Sequence, residues 1–377
     1  MKYYFIAGEP SGDMHAANCM SEVLKRDAAA SFAFTGGDLM EAASGKKASI
    51  HIRQMAFMGF AEVLKNIGAI RRNFSIVKKD ILDFKPDVLL LVDYPGFNLR
   101  MAKWATANGI KVEYYISPSV WAWKESRVET VRRYTHKMFV ILPFEEAFYN
   151  KHGIKVHFVG HPLIDAIEKK LPGLKSETQF LDGNGLSGKP LVAVLPGSRV
   201  QEIERMLEIM TAVVPKFPNH EFVIAGSNSL DSKYYEGLRA KNVKVVFNQT
   251  YELMRYAVAG VIKSGTSTLE SALMKLPQVV CYKTAPLSYA IGKRVVKLKY
   301  ISLPNLILDK PVVKELIQDD FTADNISAEL AKLLNDTEYR MAMLGNYENV
   351  LSKLGGPGAS GRIAEQLVKD ASGGPLQ

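Results

Sequence analysis

Residues 191–203, LVAVLPGSRVQEI, decide the fold class of this chain. The first five are all apolar, which is typical of a strand buried on both faces of a parallel sheet. A Pro-Gly turn follows, and a helical pattern begins at Val200. A buried strand that runs directly into a helix is the repeating unit of α/β proteins, so this stretch predicts a parallel sheet covered by helices.

The same alternation continues on both sides of this stretch. Strands are predicted on its C-terminal side at residues 221–225, 244–247, 260–263 and 278–282. Strands are predicted on its N-terminal side at residues 3–7, 31–35, 88–92, 111–116, 138–142 and 155–159. The chain has 377 residues, which is more than a single hydrophobic core usually serves. We therefore predict two Rossmann-like, doubly wound domains that face each other.

Glycine-rich segments set the predicted domain limits. Residues 169–189 contain LPG and DGNGLSG and are predicted to form a linker. This linker separates an N-terminal domain at residues 1–168 from a C-terminal domain at residues 190–356. A Gly-Gly-Pro-Gly sequence then leads into a last helical pattern, predicted within residues 357–373.

Composition narrows the class of partner. A formal net charge of +9 and a pI near 9.2 suit nucleic acid, an anionic membrane surface or phosphorylated substrates. The basic residues are scattered and no nucleic-acid motif is found, so no nucleic acid is expected. No run approaches the roughly 18 apolar residues of a spanning helix, and the first strand begins where a signal peptide would lie, so a cytoplasmic protein is expected. Cys19 and Cys281 stand far apart and predict neither a disulfide nor a metal site.

The turn after residue 195 is a candidate anion site. Free backbone N–H groups and the helix dipole favour phosphate at a helix N-terminus. Gly197 permits close approach of the backbone, Ser198 can donate a hydrogen bond, and Arg199 can pair with phosphate oxygens. The alternative is an ordinary strand-to-helix turn with an exposed arginine.

A second turn of this kind lies in the same predicted domain. Ser264, Gly265, Thr266 and Thr268 offer hydrogen-bond donors at the start of a helix, and Glu270 can accept hydrogen bonds from ribose hydroxyls. The alternative is that these side chains only cap the helix and favour its positive end. Two such turns in one domain favour a nucleotide diphosphate as ligand. Neither turn matches G-x-G-x-x-G or the P-loop, which argues against a dinucleotide enzyme or an NTPase.

Asp93 is the candidate general base. It follows the apolar strand at residues 88–92, and ligands of open α/β sheets gather at the carboxyl ends of strands. Partial burial there would raise the pKa of its carboxyl group and suit it to accept a proton. The alternative is an aspartate that only hydrogen-bonds the turn at Pro95 and Gly96.

The loop GEPSGDMH at residues 8–15 follows the first strand and points to the same edge of the sheet. Its polar members Glu9, Ser11, Asp13 and His15 are therefore candidates for contact with a ligand. The alternative interpretation is ordinary turn chemistry.

Two apolar patterns have both a core and a functional interpretation. SPSVWAWK at residues 117–124 places Trp121 and Trp123 after a strand, as a wall for a sugar or acyl group or as an aromatic corner of the core. Apolar residues recur at helical spacing from Phe60 to Ile81 and predict one face of a long helix.

These motifs jointly resemble those of the lipid A disaccharide synthase family. In chain order, the similar segments are GEPSGD at 8–13, MGFAEVL at 58–64, SPSVWAW at 117–123, VGHP at 159–162, LPGSR at 195–199, SGTSTLE at 264–270 and PNLI at 304–307. The chain departs from the family where a second acidic residue often follows three positions after Asp93, because Gly96 stands there. The departure leaves Asp93 as the candidate base.

The resemblance implies an α/β protein of GT-B architecture, with the nucleotide in the C-terminal domain, the chemistry in the cleft, and the last helix crossing back to the first domain. It implies that a UDP-2,3-diacylglucosamine donor gives its sugar to a 2,3-diacylglucosamine 1-phosphate acceptor, with inversion at the anomeric carbon. The products are a β-1,6-linked disaccharide and UDP. The resemblance implies no bound metal and no other cofactor.

Roles for individual residues follow from the resemblance. Asp93 would take the proton from the acceptor 6-hydroxyl, and the turns at 197–199 and 264–268 would stabilise the leaving UDP. Glu270 would bind ribose. Further candidates on the nucleotide side or in the cleft are Asn305, Glu315 and Gln318.

Both implied substrates reside at the cytoplasmic leaflet, whose negative surface potential attracts lysine and arginine. We therefore expect a cytoplasmic protein that is peripheral on the inner membrane of a Gram-negative bacterium. Whether it forms a homodimer stays open at this point. The candidate acceptor, acyl or membrane contacts are Met58, Phe60, Trp121, Trp123, Arg71, Arg72, Lys78 and Lys79. The alternative is that the apolar stripe in this region is only core.

Two other functions stay open at this point. Another UDP-sugar enzyme on the same fold, such as an epimerase or a UDP-GlcNAc transferase, would share the nucleotide turns. It would lack the Trp121 and Trp123 segment and the loop at residues 8–13. A non-catalytic membrane-surface protein that binds nucleotide sugars would show no turnover.

Overall fold

The structure is a computed structural model that describes residues 1–55, 67–118, 120–123, 127–227, 230, 232–235, 243–295 and 298–373. Within these residues the chain divides into two compact units. The first comprises Met1–Asp165 with Leu354–Gln377, and the second comprises Ala166–Lys353.

The first unit is built on a parallel sheet with six strands among the described residues. The strands are β1 (Lys2–Ala7), β2 (Ser31–Thr35), β3 (Val88–Val92), β4 (Val112–Tyr115), β5 (Lys137–Val140) and β6 (His157–Phe158). Their order is β2-β1-β3-β4-β5-β6. Every residue of β3 is buried, which is why its sequence is apolar without alternation.

Helices cover this sheet. They are α1 (Pro10–Arg26), α2 (Asp38–Ser44), α3 (Ile67–Phe84), α4 (Pro95–Ala107), α5 (Val120–Trp123), α6 (Val128–Tyr134) and α7 (Pro143–Lys151), with a short 3₁₀ helix at Ile52–Gln54. Helix α8 (Pro162–Lys170) contains the point at which the chain passes from the first unit to the second.

The second unit repeats the design with a second six-stranded parallel sheet. Its strands are β7 (Leu191–Leu195), β8 (Glu221–Gly226), β9 (Lys244–Phe247), β10 (Ala257–Lys263), β11 (Gln278–Tyr282) and β12 (Lys314–Ile317), in the order β12-β11-β10-β7-β8-β9. Its helices are α9 (Glu177–Gly183), α10 (Val200–Thr211), α11 (Thr250–Tyr256), α12 (Thr266–Leu273), α13 (Pro286–Val295), α14 (Leu303–Leu308), α15 (Ala323–Asn335) and α16 (Thr337–Lys353). Short 3₁₀ helices occur at Leu171–Gly173, Val214–Lys216, Ser232–Tyr235 and Gln318–Asp320.

Each sheet has one position where the strand order reverses, and such switch points are where open α/β sheets bind ligands. In the first sheet it lies between β1 and β3, whose following loops begin at Gly8 and Asp93. In the second sheet it lies between β7 and β10, followed by Pro196 and Ser264. The loops singled out in the sequence therefore stand at the two switch points.

The last helix, α17 (Ala359–Ala371), belongs to the first unit. Ile363, Ala364 and Leu367 are fully buried in a core cluster that also contains Ala16 and Met20 of α1. Full burial of an aliphatic side chain contributes about 1.5–3 kcal/mol. The tail of the chain is thus part of the core of the first unit.

Charged groups also fix α17. The Lys111 ammonium donates to the carbonyl of Asp370 over 2.7 Å, and the Lys137 ammonium lies 2.8 Å from the Asp370 carboxylate. Glu113 on β4 is fully buried, and its carboxyl adjoins this group. Burial is the largest cause and the nearby Asp370 the next, and both raise the pKa of Glu113 well above its usual value. Burial alone would raise the pKa of Asp370, but the contacts with Glu113 and Lys137 lower it.

The structure differs from the sequence prediction in two places. Residues 169–189 were predicted to be a linker, but α9 lies there and Phe180 is fully buried against β7. Ser176 and Gln179 cap this helix reciprocally, a signal that the glycines nearby obscured. Strand β12 was not predicted, because its four residues, KELI, are short and partly polar.

Candidate functional site

The switch point of the second sheet contains a cavity of about 470 Å³, called here the second-unit cavity. Six of the predicted nucleotide residues line it, namely Gly197, Ser198, Arg199, Gly265, Thr266 and Glu270. Eight lining residues are absent from the predicted set, namely Leu195, Glu202, Ala225, Gly226, Ser227, Thr250, Lys263 and Ser267. The signal for Lys263 was its position as the last residue of a strand, directly before a glycine-containing turn.

Gly197 is required by the geometry of its turn. Its φ is +98°, a left-handed conformation that favours glycine. A Cβ atom there would lie 3.0 Å from the Glu202 carboxylate and 3.4 Å from the Lys263 side chain. The turn therefore packs tightly against the side chains of Glu202 and Lys263.

Two cations meet one carboxylate in this cavity. The Lys263 ammonium lies 3.0 Å from the Glu202 carboxylate, and the Arg199 guanidinium lies 3.6 Å from the same oxygen. The side chains of Lys263 and Glu202 are largely buried, whereas that of Arg199 is exposed. Glu202 thus pairs with the largely buried Lys263 and, at a longer distance, with the exposed Arg199.

The second turn supplies the start of a helix and an acceptor. Gly265 precedes α12, and Thr266 and Ser267 form the first residues of that helix on the cavity wall. The Tyr251 hydroxyl donates to the Glu270 carboxylate over 2.6 Å and so fixes its orientation. The direction of the Glu270 carboxylate is thereby set before any ligand arrives.

Several predicted nucleotide residues instead hold the framework. The Ser264 hydroxyl donates to the carbonyl of Ile301, and the Thr268 hydroxyl donates to the carbonyl of Gly265. Both residues are buried, and neither is among the described residues that line the second-unit cavity.

Asn305 and Glu315 likewise bind protein atoms. The Asn305 amide oxygen accepts from the backbone N–H groups of residues 312 and 313, and its amide nitrogen donates to Glu315 over 2.9 Å. Glu315 also accepts from the backbone N–H of Ser302 over 2.8 Å. Gln318 exchanges two hydrogen bonds with the backbone of Thr284. Asn305 and Glu315 therefore position the segment around Ser302, and Gln318 holds the backbone at Thr284.

Asp93 stands at the switch point of the first sheet in a strained turn. Its φ is +46° and that of Tyr94 is +49°, values that non-glycine residues rarely adopt. The Asp93 carbonyl accepts from the Asn98 amide over 2.7 Å and from the Tyr114 hydroxyl over 2.6 Å. These bonds hold the backbone of Asp93 in this conformation at the end of β3.

The environment of Asp93 suits proton transfer. Burial is the largest cause and the negative charge of Glu9 the next, and together, against the opposing Tyr94 backbone N–H, they raise the pKa of its carboxyl to about 6. A carboxyl group with a pKa near 6 is ionised at neutral pH, yet it holds a proton more firmly than an exposed aspartate does.

Glu9 and Gly8 complete this edge of the sheet. A Cβ on Gly8 would lie 2.4 Å from the Tyr94 ring, so glycine allows that ring to pack over the first turn. Glu9 is half-buried and Ser11 is exposed. Both therefore stay accessible to a ligand at the switch point.

Asp13 and His15 have different surroundings. The Asp13 carboxylate is 3% exposed and accepts from the backbone N–H groups of Gly37, Leu39 and Met40, at the start of α2. It caps that helix, which accounts for an acidic residue at this position. His15 is buried against the Tyr115 ring, and burial lowers its pKa to about 4.

The predicted aromatic wall is only partly described. The Trp121 indole donates to the Glu145 carboxyl over 3.2 Å and meets the Phe144 ring edge to face at 4.8 Å. The side chain of Trp123 and the whole of Met58 and Phe60 lie outside the described residues. Trp121 is accordingly tied into the first unit by its indole nitrogen.

The predicted basic residues of α3 separate into two groups. Arg71 and Lys78 line a cavity of about 790 Å³ between α3 and α4, called here the first-unit cavity. Arg72 and Lys79 are exposed and are not among the described residues that line it. Helical geometry explains the division, because neighbours in sequence point about 100° apart around a helix.

Two features are absent from the described part of the chain. No group of three or more His, Cys, Asp or Glu side chains there is arranged to hold a metal ion. No described helix combines the length and the apolar character needed to cross a bilayer.

Comparison with known sequences gives one family. A model of the lipid-A-disaccharide synthetase family matches residues 3–356. The chain is 39% identical over 367 residues to a lipid-A-disaccharide synthase of Geobacter sulfurreducens, a match that covers 95% of this chain and 94% of that protein. It is 36% identical over 367 residues to the corresponding protein of Coxiella burnetii, with 96% of each chain covered.

Solved structures resemble the fold at lower identity. A UDP-GlcNAc 2-epimerase from Neisseria meningitidis, bound to UDP-GlcNAc, superposes with a TM-score of 0.70 and 18% identity, covering 98% of this chain and 100% of that one. A glycotransferase of kitacinnamycin gives a TM-score of 0.69 and 14% identity, covering 98% and 99%. At these identities the likeness concerns the fold, and it confirms the GT-B class predicted from the sequence.

Proposed function

This chain belongs to the lipid-A-disaccharide synthase family, and from that premise we propose which of its residues carry out the reaction. The protein is a glycosyltransferase of lipid A biosynthesis. It joins UDP-2,3-diacylglucosamine to 2,3-diacylglucosamine 1-phosphate and releases UDP.

Asp93 is the general base of the proposed mechanism. The acceptor 6-hydroxyl oxygen attacks the anomeric carbon of the donor, the bond from that carbon to the diphosphate breaks, and UDP leaves with the bonding electrons. The hydroxyl proton passes to the Asp93 carboxylate. The observation that carries this assignment is a carboxyl group at the switch point of the first sheet with its pKa raised to about 6 by burial.

The second-unit cavity is the proposed site for the diphosphate. The backbone N–H groups at the starts of α10 and α12, together with Lys263 and Arg199, offset the charge that develops on the leaving UDP. Glu270, held by Tyr251, is the proposed acceptor for ribose hydroxyls. In this proposal three predicted residues act indirectly. Asn305 and Glu315 support the segment around Ser302, and Gln318 holds the backbone at Thr284.

The proposed place of action is the cytoplasmic face of the inner membrane of a Gram-negative bacterium. Two properties support it. The chain carries a net charge of +9, which favours an anionic surface. Helix α3 exposes the apolar side chains of Ile76 and Leu82, and amphipathic helices with exposed apolar groups associate with membrane interfaces.

The direct test is release of UDP by the purified protein from the diacylated UDP-glucosamine donor, with and without the diacylglucosamine 1-phosphate acceptor. We expect release that depends on the acceptor, with one disaccharide formed per UDP. Release without acceptor would indicate hydrolysis or an epimerase-like reaction. Absence of release with both substrates would contradict the proposed function and favour a nucleotide-sugar sensor.

A further inference from the structure

We propose that the first-unit cavity binds the acceptor, with its basic rim holding the acceptor phosphate and its aromatic floor holding an acyl chain. The inference rests on the proposed function and goes beyond it by assigning acceptor recognition to particular residues. The residues that carry it are Arg71, Lys78, Arg100 and Lys103 on the rim and Phe74, Phe97 and Trp104 on the floor.

Two helix faces form this cavity. From α3, the lining residues 70, 71, 74, 75 and 78 recur at spacings of one helical turn, and from α4 the lining residues 96, 97, 100, 103, 104 and 107 do the same. Each set therefore occupies one face of its helix. The volume of about 790 Å³ lies within the roughly 300–1,000 Å³ typical of pockets for small ligands.

The charge of the rim is of one sign. Arg71 and Lys78 face the cavity from α3, and Arg100 and Lys103 face it from α4. None of the described residues that line the cavity is acidic. Basic side chains without carboxylates among them favour an anionic ligand, and phosphate matches the hydrogen-bond donors of arginine and lysine.

The floor of the cavity is aromatic. The Phe74 and Phe97 rings meet edge to face at 5.1 Å, and the Tyr94 ring stacks on Phe97 at 5.9 Å. The Lys78 ammonium lies 4.7 Å from the centre of the Phe74 ring and 5.1 Å from that of Trp104. An apolar floor beneath a cationic rim matches a molecule that carries both an acyl chain and a phosphate.

The cavity adjoins the proposed base along the chain. Tyr94 lines the cavity and directly follows Asp93, and the Tyr94 hydroxyl is fixed by the Met55 carbonyl over 2.8 Å. Gly96 also lines the cavity, and no atom lies within 4 Å of the position a Cβ would take. Gly96 thus leaves the wall next to Asp93 open and uncharged.

The test compares two double variants with the same loss of charge. Lys78→Gln with Arg100→Gln removes one cation from each wall of the cavity. Lys151→Gln with Lys155→Gln removes two exposed cations of the same unit that do not line it. Initial rates are measured in detergent micelles with the phosphorylated acceptor and with the same diacylglucosamine lacking its phosphate.

For the cavity variant we expect the acceptor KM to rise roughly 10- to 100-fold, because charge-assisted hydrogen bonds to phosphate are lost. The donor KM should stay unchanged, and the preference for the phosphorylated acceptor should shrink. The control variant should keep the parental acceptor KM and the parental preference.

Three outcomes would overturn the inference. The two variants could show equal effects, which would indicate general surface charge. The cavity variant could keep its full preference for the phosphorylated acceptor. It could also lose binding to phosphatidylglycerol vesicles while its acceptor KM in detergent stays parental, which would assign the cavity to a bulk lipid headgroup. Failure of the proposed function itself would appear separately, as no acceptor-dependent UDP release by the parent protein.

Discussion

The two switch points of this protein share a topology and differ in charge. In the second sheet, two helix starts and two cations surround a buried glutamate, an arrangement suited to a polyanion. In the first sheet, burial and, to a smaller extent, the negative charge of Glu9 raise the pKa of Asp93. The parallel sheet supplies the location of the site in both units, while a few side chains decide whether that location binds a charged group or transfers a proton.

The largest expected effect is at the first switch point. Asp93→Asn removes the proposed proton acceptor and should lower kcat by roughly 1,000-fold, within the range of general base catalysis, with little change in either KM. Because folding raises the pKa of Asp93 from 3.8 to about 6, this carboxyl lowers the stability of the fold as the pH rises between these values, and the loss is complete above about pH 6. The variant should therefore unfold at an equal or higher temperature at pH 7.5. Near-parental turnover would exclude Asp93 as the base.

At the second switch point, Lys263→Gln should lower kcat roughly 100-fold, because it removes a cation from the charge that develops on the leaving UDP. Steady-state kinetics and competition by UDP measure the effect. Lys275→Gln is the control, since Lys275 pairs with Glu348 on the surface of the same unit. The double variant Lys263→Gln with Glu202→Gln separates loss of the lysine from exposure of the glutamate. A parental kcat in Lys263→Gln would argue against this site for the diphosphate.

A smaller effect tests the coupling between the two carboxylates. The base acts in its ionised form, so kcat/KM should fall as the pH drops through about 6. Glu9→Gln removes a negative charge that raises the pKa of Asp93, and the midpoint of this acidic limb should move to lower pH. Ser11→Ala changes an exposed neighbour without removing charge and should leave the midpoint in place. An unmoved midpoint in Glu9→Gln would show that Glu9 does not act on the titrating group.

The sequence predicted most of the strands, the strand-to-helix turns after residues 195 and 263, and the position of Asp93 at the end of a strand, because buried strands and glycine turns leave strong local signals. It did not separate Ser264 and Thr268 from the residues that line the second-unit cavity, since the direction of a side chain depends on packing. It also did not reveal that Asn305 and Glu315 bind protein atoms. Asn305 accepts a hydrogen bond from the backbone N–H of Val312, and Glu315 accepts one from the backbone N–H of Ser302. The first-unit cavity could not be predicted, because it requires α3 and α4 to pack side by side.

The last helix has a consequence for how the protein is made. Residues 359–371 complete the core of the first unit, yet they leave the ribosome after the whole second unit has been synthesised. Until α17 has been synthesised, the apolar face of α1 that it covers stays exposed, and Glu113 of β4 has no Asp370 beside it. The second unit is continuous in sequence and can complete its core first. A premature stop just before Ala359 would therefore damage the domain synthesised first rather than the one synthesised last.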